Sequence, residues 1–422
     1  YKSCVYELFM APIAPSTPPP SPAPVSLPDG HCAATSGYSG SAYFDYDNQA
    51  NWKNVNGQTN DKIRFSKFPA HVFDFKLHNQ CAMGKQSPIN VCDGSSGQRN
   101  TYAPCYESHE IFQYGGVWKL SQTDKIQAKI FGSKLRLEYA TRTWGPYSTC
   151  CGNSPNGYTG WCPLIYGNPE RTCGHDLPPL ADFPHHWNGY TQINHIDFKF
   201  PSEHTICGKR YDAEITYWFV WANRKAAINM AIMVEYGNHN HELEKVILKF
   251  EETNRNARKK CTGRVRDLKE QTNFTEASES EFEYTSSNEY SSLNEEASMN
   301  TSSWQSNEPL NSQRQLSNDH FNPFSKEIIK TVHFYGYWGT TTEPPCLGAA
   351  GNPFRFIAWR IMDKPTQMSF NQLTRLKQAL LSNVDGNCKC TSVAKKNSNN
   401  QWSVARDLQS SASRNIHKCT SN

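Results

Sequence analysis

The chain has 422 residues, which exceeds one typical domain but suits one large core with added segments. Hydrophobic residues make up 37% and aromatic residues 12% of the sequence, enough to bury a sizeable core, as is typical of a soluble globular protein. The formal net charge is +4, from 43 basic and 39 acidic side chains, so charge gives no reason to expect nucleic acid or an anionic membrane as a partner. The apolar runs all fall short of the roughly 20 residues needed to span a bilayer, so no transmembrane segment is expected.

Residues 1–40 are predicted to form a proline-rich arm. The run from Pro15 to Pro22 contains five prolines, which cannot form regular backbone hydrogen bonds and favour an extended polyproline II geometry. We expect a stiff spacer or docking arm. Interleaved Ser and Thr are also typical of glycosylated wall proteins, which is the alternative interpretation.

The remaining sequence favours a sheet-centred α+β domain in two parts, residues 41–261 and 323–422. Strands are predicted where β-branched and aromatic residues concentrate, at Ile126–Leu137, Gln192–Phe200, Glu214–Trp221, Ala227–Tyr236 and Phe354–Ile361. Helical periodicity is convincing at Glu242–Glu251 and at Ser369–Ser382. These helices are expected at the periphery of a large sheet.

Residues 262–322 interrupt this domain with a polar, acidic insertion rich in Ser, Asn and Glu. Its small apolar content cannot offset the entropy of ordering, so disorder is the first expectation. Its scattered aromatic residues, among them Phe282 and Trp304, are the alternative, since they could anchor it to a neighbour. The segment also carries N-glycosylation sequons at Asn273 and Asn300.

The chain contains fifteen cysteines, and those at 150–173 lie in a predicted disulfide-braced insertion at about 145–180. So many cysteines without paired CxxC metal motifs are typical of an oxidising compartment. We therefore predict a secreted protein of the cell surface or wall. The odd count leaves at least one thiol free or paired with another molecule.

Four motifs occur in one order along the chain: Cys81–Asn90 (CAMGKQSPIN), Ser202–Thr205 (SEHT), Tyr211–Glu214 (YDAE) and Tyr337–Cys346 (YWGTTTEPPC). Together they resemble the α-class carbonic anhydrases, particularly the secreted algal members. The match extends from about Tyr43 to Gln409 and is broken by the acidic insertion. The resemblance implies the α-carbonic-anhydrase fold, with a large, mostly antiparallel twisted sheet, and a disulfide between Cys81 and Cys346.

The resemblance also implies where three zinc-binding histidines would lie. The motif spacing puts Asp197, Lys199 and Thr216 at these positions, none of which is histidine. A strand register shifted by two residues would instead bring His195 and Asp197 to the first two positions and would still lack the third ligand. Zinc needs three neutral imidazoles here to lower the pKa of bound water, so we predict that zinc, and any other cofactor, has been lost.

Lys199 gives a more specific hypothesis. An ammonium group in the former metal cavity would repel Zn²⁺ and could replace the charge of the metal. In this interpretation Asp197 pairs with Lys199 and Thr216 supplies a hydrogen bond. The alternative is an ordinary surface strand that carries exposed charges.

The resemblance identifies further positions of the site. Family residues are retained at Glu203, Glu214, Tyr337 and Thr342, whereas Glu343 departs from the usual Thr or His. The CO2 pocket corresponds to Trp218, Asn229, Thr341 and Trp359, and a Trp at 218 could fill that pocket. Other histidines, at 185–186 and at 239–241, are expected to be exposed loop residues.

These observations predict a catalytically inactive carbonic-anhydrase-like protein that serves as a structural or interaction module of an extracellular assembly. Its expected partners are other proteins or further copies of the chain. The alternative is an active carbonate dehydratase with an atypical metal site around His195 and Asp197. A third possibility is a small ligand bound in the vacated site.

Overall fold

A computed structural model of the protein describes residues 44–55, 79–91, 102–104, 111–114, 117–139, 161–162, 179–183, 190–221, 226–272, 319–348, 357–412 and 414–419. These residues form strands, two α-helices and a short 3-10 helix at Gln49–Asn54. The proline-rich arm, most of the cysteine-rich and acidic insertions, and the sequons at Asn273 and Asn300 lie outside the described residues.

The helices are α1 (His241–Thr272) and α2 (Phe370–Leu381). The strands, in chain order, are β1 (Asn90–Val91), β2 (Tyr102–Pro104), β3 (Phe112–Tyr114), β4 (Trp118–Lys119), β5 (Ile126–Ile130), β6 (Leu135–Tyr139), β7 (Trp161–Cys162), β8 (Leu180–Asp182), β9 (Tyr190–Lys199), β10 (Thr205–Ile206), β11 (Lys209–Arg210), β12 (Ala213–Trp221), β13 (Ala226–Tyr236), β14 (His320–Phe321), β15 (Phe334–Gly339), β16 (Ile357–Met362), β17 (Thr366–Met368), β18 (Lys395–Lys396), β19 (Trp402–Ser403) and β20 (Ile416–Cys419).

One large sheet organises the molecule, in the order β2-β20-β15-β16-β13-β12-β9-β6-β5. Most neighbours along this path are antiparallel, and β13 pairs in parallel with β16 and β17. The predicted α+β class with a mostly antiparallel central sheet is therefore confirmed. The central strand β13 is almost continuously apolar because the strand is buried on both faces of the sheet.

The two faces of the sheet differ in what covers them. On one face, Phe198 and other large apolar side chains pack against α1, whose Phe250 ring lies 5.7 Å from that of Phe198. Helix α2 joins the same core through Leu373, Leu376 and Leu380. The opposite face carries the charged and aromatic side chains of the candidate site, because successive residues of a strand point to opposite sides.

The structure corrects two of the predicted elements. The stretch Ile126–Leu137 is a hairpin rather than one strand, because the chain turns at Gly132-Ser133 and the amide of Phe131 donates to the carbonyl of Lys134. The helix predicted at Glu242–Glu251 continues to Thr272 and so runs past position 262, where the insertion was predicted to begin. The disulfide Cys261–Cys388 joins this extension to the segment after α2.

Candidate functional site

The three positions that the resemblance assigns to zinc ligands lie together on the face of the sheet opposite α1. Asp197 and Lys199 alternate on β9, and Thr216 on β12 is the direct cross-strand partner of Asp197. All three residues are buried, with at most 7% of their surface exposed. The alternative of an exposed surface strand is therefore wrong, because these three side chains are shielded from bulk water.

Lys199 is held by two carboxylates. Its Nζ lies 2.7 Å from Oε1 of Glu343 and donates to Oε1 of Glu203 at 2.9 Å and to the Tyr46 hydroxyl at 3.3 Å. Burial alone would lower the pKa of Lys199, but Glu203 and Glu343 outweigh burial and raise that pKa above its ordinary value. Lys199 is consequently an ammonium ion at neutral pH.

Asp197 does not pair with Lys199, so that part of the hypothesis is wrong. Both carboxylate oxygens of Asp197 accept from the guanidinium of Arg136, at 2.6 Å from Nε and 2.8 Å from Nη2. Arg136 lies on β6, directly opposite Asp197 in the register of β9. A planar guanidinium binds a carboxylate through two parallel hydrogen bonds, so both oxygens of Asp197 are engaged by Arg136.

Glu343 bridges the two lysines of the site. Its Oε2 accepts from Lys134 at 2.7 Å, while its Oε1 lies against Lys199. Burial would raise the pKa of Glu343, but Lys134 and Lys199 overcome burial and hold that pKa well below its usual range. The buried charges are therefore balanced, with three cations at 134, 136 and 199 and three anions at 197, 203 and 343.

Sequence reasoning missed Lys134, Arg136 and Tyr46 as members of this cluster. The signal available was the alternation Lys134-Leu135-Arg136 at the start of a strand, which places two basic side chains on one face. Glu343 was noticed as a departure from the family, but its partners were not. Recognising them would have required knowing that β6 lies beside β9.

Thr216 also makes a different bond from the one expected. Its hydroxyl donates to Oε1 of Glu214 at 3.2 Å. The other oxygen of Glu214 accepts from the backbone amides of Glu203 and His204, and His204 Nδ1 lies 2.9 Å from Oε1. Burial would raise the pKa of Glu214, and the contacts with His204 lower it. Thr216 thus belongs to this second network and not to the Lys199 cluster.

The retained family residues form contacts with each other. Thr342 donates to Oε2 of Glu203 at 2.5 Å, while the other oxygen of Glu203 accepts from Lys199. Tyr337 donates to Ser87 at 2.9 Å, and its hydroxyl lies 2.7 Å from His204 Nε2. Glu203 therefore links Thr342 to the ammonium group of Lys199.

Three of the positions that the resemblance assigns to a CO2 pocket lie in a row across the sheet. Trp218, Asn229 and Trp359 are cross-strand partners on β12, β13 and β16. Trp218 stacks on His195, with ring centroids 5.2 Å apart, and meets Trp359 edge to face at 6.3 Å. Asn229 is fully buried between the two indoles, and neither atom of its side-chain amide has a hydrogen-bond partner.

Thr341 uses its hydroxyl within its own loop. The hydroxyl donates to the carbonyl of Glu343 at 3.1 Å and accepts from the amide of Leu347 at 3.0 Å. Trp359 anchors the same loop by donating from its indole to the carbonyl of Thr340 at 2.9 Å. These bonds fix the loop that brings Glu343 to the two lysines.

His195 lies on the same face as Asp197, as the alternative metal site requires. Its Nε2 is 3.6 Å from Oδ2 of Asp197, and its Nδ1 is 2.8 Å from Oδ1 of Asn194. Asp197 is already engaged by Arg136, however, and the third position offers only the hydroxyl of Thr216.

The residues at the site do not fit a zinc ion. A tetrahedral protein site for zinc takes three or four neutral imidazoles, thiolates or carboxylates. Here the corresponding groups are an ammonium, a carboxylate bound through both oxygens to Arg136, and a hydroxyl that donates to Glu214. Within the described ranges no three His, Cys, Asp or Glu side chains are grouped as metal ligands would be.

The other histidines considered in the sequence do not belong to the Lys199 cluster. His204 is buried beneath it, whereas His239 and His241 are exposed at the start of α1, with ring centroids 4.9 Å apart. His185 and His186 lie outside the described residues.

Disulfides join distant parts of the described chain. The bond predicted between Cys81 and Cys346 is present and spans 265 residues of sequence. Cys261 pairs with Cys388, and Cys207 and Cys390 are also disulfide-bonded. The helices in the part of the chain that the structure describes do not combine the length and apolar character that crossing a membrane would require.

Comparison with known proteins finds similarity to solved structures only. No protein-family model and no curated protein matches the chain. The α-carbonic anhydrase of Thermovibrio ammonificans in complex with sulfanilamide is 14% identical, with 91% of this chain and 100% of that chain covered and a TM-score of 0.42.

Two further structures match at a similar level. Dioscorin complexed with ascorbate is 15% identical, with 89% and 96% covered and a TM-score of 0.44. The carbonic anhydrase Cah3 of Chlamydomonas reinhardtii in complex with acetazolamide is 16% identical, with 82% and 95% covered and a TM-score of 0.43. Likeness at this level concerns the fold alone.

Proposed function

We propose that this chain is a catalytically inactive carbonic-anhydrase-like domain that works as a structural or interaction module of an extracellular assembly. The observation that carries the proposal is the position of Lys199. Lys199 stands at a position that the resemblance assigns to a metal ligand, and its ammonium group is buried between Glu203 and Glu343. A divalent cation at this point would face a positive charge that these two carboxylates keep protonated.

The Glu203–Thr342 pair supports the same interpretation. The resemblance implies that this pair orients zinc-bound hydroxide in the α-class carbonic anhydrases. Here one oxygen of Glu203 accepts a hydrogen bond from Lys199 and the other accepts one from Thr342. The pair has a sufficient structural role, because it ties the loop around Thr342 to the segment between β9 and β10.

The extracellular part of the proposal rests on the cysteines. Stable disulfides are typical of oxidising compartments, and six described cysteines are disulfide-bonded. The partners we propose are proteins of the surface or wall, or further copies of this chain. Glycosylation at Asn273 and Asn300 belongs to the same proposal.

Elemental mass spectrometry on natively purified protein, with CO2 hydration measured with and without added zinc, tests the loss of chemistry. We expect less than a tenth of an equivalent of zinc and a rate equal to that of buffer. Near-stoichiometric metal with turnover would favour the enzyme with an atypical site at His195 and Asp197. A His195→Ala variant would then lose the metal, whereas an exposed control, His239→Ala, would keep it.

A further inference from the structure

The two halves of α1 differ in what surrounds them. Leu243, Val246, Ile247 and Phe250 are buried against the sheet and α2. From position 255 the exposure changes: Arg255, Lys259 and Lys260 are exposed, and none of the three forms an ion pair with a described residue. Residues 255–261 are therefore mostly exposed, and Cys261 ties them to the segment after α2 through its disulfide with Cys388.

The second half of α1 is also strongly basic. Residues 255–272 contain seven basic side chains and two acidic ones, Asp267 and Glu270. The basic residues are Arg255, Arg258, Lys259, Lys260, Arg264, Arg266 and Lys269. Like charges four residues apart, as at 255 and 259 or at 260 and 264, each oppose helix formation by a few tenths of a kcal/mol. Negative charge placed nearby would offset this repulsion.

The sequence supplies that charge immediately afterwards. Residues 276–308 contain eight glutamates and no lysine or arginine, and this segment begins four residues after α1 ends. The 18 residues 255–272 form a helix about 27 Å long. A chain of 33 residues spans about 110 Å when extended, so it can follow the whole basic half with slack.

We propose that the acidic segment 276–308 docks on the basic half of α1, residues 255–272, of the same chain. Charge complementarity selects this occupant. The short connection selects the same copy, because a tethered segment has an effective concentration near the millimolar range. Exposed ion pairs of this kind are screened by salt, so the contact weakens steeply between 0.05 and 1 M NaCl.

Zero-length carbodiimide cross-linking tests the contact directly. Unlabelled and ¹⁵N-labelled full-length protein are mixed at equal, low micromolar concentration, cross-linked and digested. We expect links from Lys259 or Lys260 to glutamates of 276–308 within one isotopic species, with loss of most of them in 1 M NaCl. The exposed pair Lys209–Glu235, with 2.8 Å between Nζ and Oε2, is the internal control for reactivity.

Two outcomes would overturn the proposal. Mixed-isotope links would show that the occupant is a second copy, and absent helix links alongside a formed Lys209–Glu235 link would show that the segment does not dock. A variant gives an independent readout: Glu279→Gln, Glu281→Gln and Glu283→Gln together should accelerate amide exchange of residues 262–272 several-fold at low salt. Glu252→Gln, in the same helix, is the matched control, and equal exchange in both variants would contradict docking.

Discussion

Lys199 is the buried cation shared by two carboxylates of the site, Glu203 and Glu343. Replacing it by methionine keeps the volume but leaves Glu203 and Glu343 without their shared cation. Removing one partner of a buried ion pair costs about 3–5 kcal/mol. We expect Lys199→Met to lower the free energy of unfolding in urea by that amount.

The control for this experiment is Lys209→Met, since Lys209 pairs with Glu235 at the surface. An exposed pair contributes at most about 1 kcal/mol. A loss at Lys199 no larger than the loss at Lys209 would mean that the buried ammonium does not compensate the two carboxylates.

The buried carboxylate of Glu343 should make the free energy of unfolding sensitive to acid. The pKa of Glu343 is held well below its usual range, mainly because Lys134 and Lys199 overcome burial. Its contribution is therefore fully present above the unfolded pKa of about 4.3 and is lost as the pH falls towards the folded pKa.

We expect wild type to lose stability relative to Glu343→Gln between pH 6 and pH 3, as measured by urea unfolding at each pH. Glu252→Gln, which changes a carboxylate of the exposed surface of α1, serves as the control. A constant difference between wild type and Glu343→Gln over this range would contradict the prediction.

For individual residues, the sequence predicted which positions form the site but not which side chains contact them. Motif spacing located Asp197, Lys199 and Thr216, and the structure places all three on one buried face. The partners were not predicted, because Arg136 comes from β6 and Glu343 from a loop about 145 residues further along the chain than Lys199. Such contacts depend on strand order, which local patterns do not encode.

The turn between β5 and β6 shows the corresponding limit for elements. Its flanks are rich in strand-forming residues, and the turn itself is short, so the pattern suggested one continuous strand. Gly132 is required there by packing, since an added Cβ would lie 2.2 Å from the carbonyl oxygen of Thr391. The turn then directs Lys134 and Arg136 into the site.

Gly132→Ala should accordingly destabilise the protein by about 1–3 kcal/mol, the usual cost of overpacking a tight site. Thermal or urea unfolding measures the effect. Gly84→Ala is the matched control, because an added Cβ there meets no atom within 4 Å. Equal stability of the two variants would show that the segment at Thr391 moves away without cost.

At the scale of the whole molecule, the positions that the resemblance assigns to zinc ligands lie on two adjacent strands, and the basic side chains around them would repel a metal cation. Introducing Asp197→His, Lys199→His and Thr216→His supplies three imidazoles but leaves Arg136 buried without Asp197, and Glu203 and Glu343 without Lys199. We expect this triple variant to be destabilised and to bind zinc at least tenfold more weakly than a second variant. The second variant adds Lys134→Gln, Arg136→Gln and Glu343→Thr.

Zinc affinity by competition with a chromophoric chelator, together with circular dichroism of both variants, measures this difference. The triple variant alone binding zinc as tightly as the extended one would show that the surrounding charges are unimportant. Position 218 needs no change in this comparison, because the readout is metal affinity and not turnover.

The disulfide between Cys81 and Cys346 has a mechanical consequence. Tension that enters the chain before residue 81 and leaves after residue 346 passes through one covalent bond and bypasses the 265 residues of sequence separation between them. Strands β9, β12 and β13 all lie inside that closed loop. A pull of this kind would load the segments outside the loop, which include Tyr46, β16, β17 and α2, while β9, β12 and β13 would not be stretched along the chain until the bond itself broke.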